Sequence, residues 1–298
     1  MLKIRKVTAA DKARVADIVK NIWEGSDYLP LVFDEWVKDS HGEFAAAVDQ
    51  NGILIGFEKL TMLTPYDAWI EGLRKDMGSN IKGVGRFLTE HIFEVLKKNK
   101  KLRTVRFATY YKNIESISLF SRLGFSVLEK RNHLSLKLPR VKSIPKYEKN
   151  RAVRGGDPDQ IIDFIKRSVW LKKNPNGICF SWVVKPFSEN MILNDFVSRG
   201  DVLSISENGR VRALCLYTIR EKEDLFLSFF EAETPELFLE LLKAAKKTAY
   251  ESGQENLCAV LSQKDRKSYV LFKKNRFKSW ESEGDFLLFD LPLDRLML

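Results

Sequence analysis

Apolar and polar positions alternate in "LKIRKV" (residues 2–7), the period of a half-buried strand, and the next stretch, "TAADKARVADIVKNIW", changes to helical spacing. Thr8 stands where an N-cap belongs, with Asp11 three residues on as an acidic variant of the capping box, so the chain is expected to open strand, then helix. A second short helix is predicted around Phe33, Trp36 and Val37. "GEFAAAVDQNGILIGFEKLTML" reads as two strands turning on Asn51-Gly52, a pair suited to a tight hairpin, and "DAWIEGL" as a third. Past the glycines of "KDMGSNIKGVGRFL", Phe87, Leu88, Ile92 and Val95 recur at helical spacing, with lysines gathered at the end where they suit the helix dipole. A strand "TVRFATY", a short helix "IESISLFSRL" and, after Gly124-Phe125, the strands "FSVLEKR" and "HLSLKL" complete the first half.

The order then repeats. "RAVRGG" is strand-like, and Asp157 with Gln160 caps a helix. "DVLSISENGRVRALCLYTI" turns on Asn208-Gly209, "DLFLSFF" is a strand, and Thr234 with Pro235 opens the helix "TPELFLELLKAAKKTAYESG" before the strand "NLCAVL". The endings "LFSRLGF" and "LFKKNRF" align as well. Between the halves, "PRVKSIPKYEKNR" combines prolines with dense positive charge, as a linker does. The expected division is a domain over 1–140, a linker over 141–150 and a second, degenerate copy over 151–298. Each copy is expected to be mixed α/β (α+β), a largely antiparallel sheet flanked by helices.

Composition adds limits. At 298 residues, 44% of them hydrophobic, the chain can bury the cores of two ordinary domains. No run approaches the ~20 apolar residues of a membrane span, and the amino terminus turns amphipathic at once, so no membrane partner and a cytoplasmic location are expected. Cys179, Cys215 and Cys258 lack close pairing and read as core residues. His41, His91 and His133 are scattered without a partner at ligand spacing, so no metal is expected. The net charge of +10 is spread among carboxylates with no long basic block, which favours a solubility surface over a nucleic-acid partner. Oligomeric state is not legible.

The chemistry lies in "GSNIKGVGRFL" (78–88), glycines placed between a strand and a helix. A Walker loop requires Gly-Lys-Ser/Thr, and Arg86-Phe87 follows Gly85 here. A dinucleotide fingerprint requires a parallel βαβ unit and an acid about 20 residues on; this loop follows a meander and meets Lys100 to Arg103 at that distance. The second copy has "EAETPELFLEL" in its place, without a glycine, so phosphate chemistry is assigned to the first copy.

The remaining pattern, Asn80-Ile81-Lys82-Gly83-Val84-Gly85, resembles the motif Gln/Arg-x-x-Gly-x-Gly/Ala of the GNAT superfamily of acetyl-CoA-dependent N-acyltransferases. Asn113, Ser116, Phe120 and "LGF" at 123–125 follow with the superfamily's order and spacing. "GSDYLP" at 25–30, Trp36, Glu58 in "GFEKL" and "EGLR" at 71–74 bring the first ~140 residues close to the histidine N-acetyltransferase type. The resemblance implies a tandem of GNAT folds and acetyl-CoA as acyl donor. It implies pyrophosphate binding by backbone N–H groups from 80–86, with Lys82 or Arg86 supplying the charge that Asn80 lacks, and contacts from Leu73, Arg74, Lys75, Asn113, Ser116 and Phe120. Phe120 replaces the tyrosine thought to protonate the leaving thiolate, which leaves three alternatives: Tyr110 or Tyr111 substitutes, solvent protonates it, or the domain does not turn over.

An amine attacks a thioester only when unprotonated, so the reaction requires a base and a donor for the thioester oxygen. Glu71 and Glu58, acids within otherwise apolar strands, are the base candidates in that order, each weighed against a solvated or ion-paired strand carboxylate. Asp27 and Tyr28 lie in the loop that commonly forms the acceptor side, where Asp27 either grips a cationic substrate or caps a turn. The expected function is acetyl transfer to the primary amine of a small molecule, for instance a free amino acid such as histidine; the alternative is a non-catalytic acyl-CoA-binding or regulatory module.

Overall fold

The computed structural model describes residues 2–25, 27–140, 151–219 and 224–293; the expected linker, 141–150, lies outside them. The chain divides into two compact units, the first Met1–Thr109, Asn113–Leu128 and Leu288–Leu298, the second Tyr110–Lys112 and Glu129–Leu287.

In the first unit the elements are β1 (Lys3–Lys6), α1 (Lys12–Val19), α2 (Leu29–Lys38), β2 (Glu43–Val48), β3 (Leu54–Thr64), β4 (Asp67–Lys75), α3 (Val84–Leu96), β5 (Thr104–Tyr110), α4 (Ile114–Arg122) and the start of β6 (Ser126–Lys137). The helix start at Thr8 forms as the spacing predicts, its backbone N–H donating to the Asp11 carboxylate at 2.8 Å. Gly52, at φ 80°, turns the β2–β3 hairpin, and Asp49 accepts from the backbone N–H groups of Asn51 and Ile53. Strands β1 to β4 pair antiparallel in sequence order, and β4 then pairs parallel with β5. One core cluster joins Val15, Leu29, Phe33 and Trp36 to Phe44 and Phe57. On the opposite face of β3, α3 buries Val84, Leu88, Ile92 and Leu96. The α1–α2 and α3 layers thus enclose the sheet.

The first unit is completed from far along the chain. Leu291 N–H donates to the Val105 carbonyl at 2.9 Å, Phe289 stacks on Phe107 at 4.7 Å, and Arg106 pairs with Asp290 at 3.0 Å. The compact unit therefore stops at 128 where the sequence reading placed a boundary at 140, and regains a strand from 288 onward.

The second unit carries the rest of β6, then β7 (Val153–Arg154), α5 (Pro158–Arg167), α6 (Val169–Lys173), β8 (Ile178–Phe180), β9 (Val183–Lys185), α7 (Glu189–Ile192), β10 (Val202–Glu207), β11 (Arg210–Ile219), β12 (Asp224–Ala232), α8 (Pro235–Glu251), β13 (Asn256–Ser262), α9 (Arg266–Lys274), β14 (Lys278–Ser279) and β15 (Phe286–Asp290), whose last residues join the first unit. Strands β7-β10-β11-β12 pair antiparallel and β12-β13 parallel, the order already seen in β1 to β5. Asn208 and Gly209 take φ 50° and 72°, the paired left-handed turn that the Asn-Gly dipeptide predicts. All three cysteines are buried.

One expectation is corrected and one feature is new. "FSVLEKR" and "HLSLKL" form the single strand β6, which stays paired with β13 from Arg131 to Lys137. Its polar middle survives burial because Arg131 pairs with Glu129 at 2.9 Å and the Asn132 side chain accepts from Gly284 N–H at 2.8 Å. The β8–β9 hairpin, which forms a sheet of its own, had no forecast.

Candidate active site

Strands β4 and β5 pair only where Asp67–Trp69 faces Thr104–Arg106. Beyond Trp69, β4 has no ladder partner in β5 among the described residues, which leaves its backbone groups to other partners. A bulge adds to this: Phe57 faces Arg74 and Lys59 faces Glu71, so Gly72 and Leu73 together oppose the single residue Glu58. Gly72 holds φ 67°, and a Cβ there would lie 2.5 Å from the Trp36 ring. Only glycine fits this corner without displacing the tryptophan.

After β4, the chain turns into α3 through a loop tied at Asp76. The Asp76 carboxylate accepts from Gly78 N–H at 2.8 Å and pairs with Arg14, which also donates to the Leu54 carbonyl at 3.0 Å. Gly83 precedes Val84 in the left-handed conformation, φ 78°, and offers no side-chain cap to the first N–H groups of α3. The loop glycines have separate jobs. Gly83 supplies the backbone conformation in open space, whereas a Cβ on Gly85 would meet Leu119 at 3.3 Å and Leu73 at 3.6 Å. Gly85 lets α3 sit close to the bulged strand, as does Gly56 on β3, whose Cβ position lies 2.6 Å from Val84. Asn80, Ile81, Lys82 and Arg86 are exposed; Arg86 is paired with Glu90 at 2.7 Å, and Lys82 has no carboxylate partner among the described residues. Leu73, Arg74 and Lys75 are half-buried along the bulged end of β4.

The two candidate bases lie on opposite faces of the sheet. Glu71 is half-buried on the face that carries Lys59, accepting from the Thr61 hydroxyl at 2.8 Å. Lys59 itself is buried and paired with Asp39 at 2.5 Å. Glu58 faces α3, fully buried, with Oε1 3.0 Å from the Thr89 hydroxyl and Oε2 without a hydrogen-bond partner among the described residues. Burial pushes its carboxyl up to about 8, against a smaller downward pull from Thr89.

Asp27 and Tyr28 both lie against Arg74 of β4. The Asp27 carboxylate accepts from Leu29 N–H at 2.9 Å, as a turn cap does, and from Arg74 Nε at 2.8 Å. Tyr28 meets Trp36 edge-on at 6.0 Å, with the Arg74 guanidinium 6.0 Å from its ring. Asn113 caps α4 by accepting from Ser116 N–H at 3.2 Å, which engages both residues of that expected pair. Phe120 is buried against Phe107, 4.1 Å between centroids, and Phe125. Tyr110 belongs to the second unit and packs on Trp280 at 4.3 Å, its phenol pushed up to about 12 by burial and then by Glu281. Gly56, Asp76 and Thr89 escaped the sequence reading; only Asp76, an Asp two residues before a loop glycine, carried a local turn signal.

Residues 13–125 match the family model described as Acetyltransferase (GNAT) family. No curated protein matches the sequence. Among solved structures, the chain is similar to a GCN5-related N-acetyltransferase from Sphaerobacter thermophilus (TM-score 0.70, 13% identity, covering 97% of this chain and 95% of that one). It is also similar to a tandem GNAT protein from the clavulanic acid biosynthesis pathway (0.65, 12%, 97% and 98%) and to a putative acetyltransferase from Thermoplasma acidophilum (0.58, 14%, 97% and 98%). The family match covers residues 13–125, and the likeness to these structures, at 12–14% identity, shows that the chain has the GNAT fold. Among the described residues no helix is long and apolar enough to cross a membrane, and no group of His, Cys, Asp and Glu is arranged to hold a metal ion.

Proposed function

We propose that the first unit transfers acetyl from acetyl-CoA to the primary amine of a small molecule, such as a free amino acid, with Glu58 as the base. The observation that carries this reading is the buried Glu58 carboxyl, raised to about 8, opposite the β4 bulge and without a counter-ion among the described residues. A buried acid that serves packing alone is expected to be paired; one held near neutral pKa suits proton transfer. Gly83, Val84, Gly85 and Arg86 would hold the pyrophosphate with backbone N–H groups, Lys82 adding charge. The backbone of the bulged β4 from Leu73 to Lys75 would hold the arm and offer an N–H to the thioester oxygen. Glu58 accepts the amine proton, directly or through one water, as the amine adds to the carbonyl carbon. The C–S bond then breaks, and with a phenylalanine at 120 the thiolate takes its proton from solvent.

The second copy, lacking the loop, acts as a degenerate partner that turns over no acyl donor. Thiol release against a panel of free amino acids, wild type beside Glu58→Gln and Glu71→Gln, tests the assignment. A large loss of rate in Glu58→Gln with Glu71→Gln near wild type supports it. Normal turnover by Glu58→Gln across pH would remove Glu58 from the chemistry.

A further inference from the structure

Thr89 has one hydroxyl proton and two acceptors. Its Oγ1 lies 3.0 Å from Glu58 Oε1 and 3.1 Å from the carbonyl oxygen of Gly85, one helical turn earlier, and the residue is fully buried. The hydroxyl therefore donates to one of them at a time. A carboxylate is the stronger acceptor, so an ionised Glu58 takes the Thr89 proton. With Glu58 neutral, its own acid proton can turn to Thr89 Oγ1 while Thr89 donates to Gly85. No other hydrogen bond to the Glu58 carboxyl exists among the described residues, and Oε2 is left open.

The surroundings isolate this pair from other charges. Across the sheet Glu58 faces Ala45 on β2 and the Gly72-Leu73 bulge on β4. Lys59 and Glu71 lie on the opposite face, with Asp39 holding Lys59. On the α3 side the titratable groups include His91 and, from β2, Glu43, which pair with each other at 3.4 Å while Lys6 lies 3.7 Å from Glu43; Lys75 of β4, opposite Gly56, is on this face too. Arg86 and Glu90 pair on the exposed side of α3.

We propose that Thr89 is the positioning residue of the acyl-transfer site: by donating to Oε1 of Glu58 it stabilises the ionised carboxylate and leaves Oε2 as the atom that receives the amine proton. This rests on Glu58 as the base. It also ties the charge state of Glu58 to the first turn of α3, because the Gly85 carbonyl loses the Thr89 proton whenever Glu58 ionises.

The test is a carboxyl titration by ¹³C NMR on protein labelled at glutamate, with Glu58→Gln identifying the Glu58 signal, in wild type, Thr89→Val and Thr89→Ser. Removing the hydroxyl is expected to raise the Glu58 midpoint by about one to two pH units. Thr89→Ser is expected to restore it to within a few tenths. Circular dichroism follows folding, and Thr89→Ala, which removes the same hydroxyl without adding bulk, stands in if Thr89→Val does not fold. An unchanged midpoint in the hydroxyl-free variant, or a Ser variant that behaves like Val, overturns the proposal. The pH profile of thiol release is read in parallel. If the Glu58 midpoint moves while the rate profile does not, Thr89 still sets the ionisation of Glu58, but Glu58 is not the base and the positioning role falls with it.

Discussion

Burial makes Glu58 bind its proton more tightly in the folded chain than in the unfolded one, and the sign of the consequence follows from linkage. The carboxyl titrates at 4.5 unfolded and at about 8 folded, so between those values folding takes up a proton and stability falls as pH rises. Below 4.5 both states are protonated and the penalty vanishes. Above about 8 the penalty is complete, on the order of a few kcal/mol. Glu58→Gln is expected to gain stability over wild type in urea unfolding at pH 8.5 and to lose most of that gain at pH 5. A gap independent of pH would show that Glu58 titrates normally. Catalysis should run the opposite way: a base must be ionised, so wild-type thiol release is expected to climb as pH passes 8, a limb absent from Glu58→Gln. The sequence marked Glu58 as an acid in an apolar strand, but ranked Glu71 first. Alternation along the strand could not tell which face α3 would cover, and Thr89, 31 residues away in sequence, gave no signal before packing brought it to Glu58.

Among the elements, α3 shows how closely the glycine loop before it depends on the strands beneath. The loop, its position between strand and helix, and the following amphipathic face were all legible, because glycines and 3.6-residue spacing are local signals. The reasons for the glycines were not. Gly83 answers a backbone requirement, while Gly85 and Gly56 answer close approach to Leu73, Leu119 and Val84, a matter of three dimensions. Gly56→Val would push its side chain into Val84 and lift the start of α3 from β3. Such overpacking costs about 1–3 kcal/mol, so a fall of several degrees in Tm and weaker acetyl-CoA binding are expected. Calorimetric scanning that finds an unaltered Tm would mean that α3 does not bear on Gly56. The β4 bulge was likewise invisible in "DAWIEGL", since one extra residue in a ladder appears only when the register with β3 is known. Asn113, Ser116 and Phe120 were singled out by spacing alone; that Asn113 caps α4 through Ser116 N–H and that Phe120 is buried are visible only in the fold.

For the whole molecule, the duplication was readable because both halves carry the same hairpin signal, cap pattern and strand order. The unit boundaries were not, because the first unit borrows its last strand from residues 288 onward, and such a long-range pairing leaves no local trace. Phe289 is buried in that strand and stacks on Phe107. Phe289→Ala is expected to destabilise the first unit by about 3–5 kcal/mol, measured by denaturant unfolding. A loss under 1 kcal/mol would show that the returning strand contributes little. A fragment over 1–140 lacks this strand and is expected to fold poorly.

The central claim is that the loop before α3 holds the phosphates of acetyl-CoA, and isothermal calorimetry of acetyl-CoA binding to wild type, Gly83→Glu and Gly52→Glu tests it most directly. Gly83 and Gly52 share a left-handed backbone, φ 78° and 80°, with open space at the Cβ position, so the two substitutions impose comparable strain and only one adds charge at the loop. The account predicts binding by wild type and Gly52→Glu and its loss in Gly83→Glu. Wild type that binds no acetyl-CoA, or equal binding by all three, would contradict it.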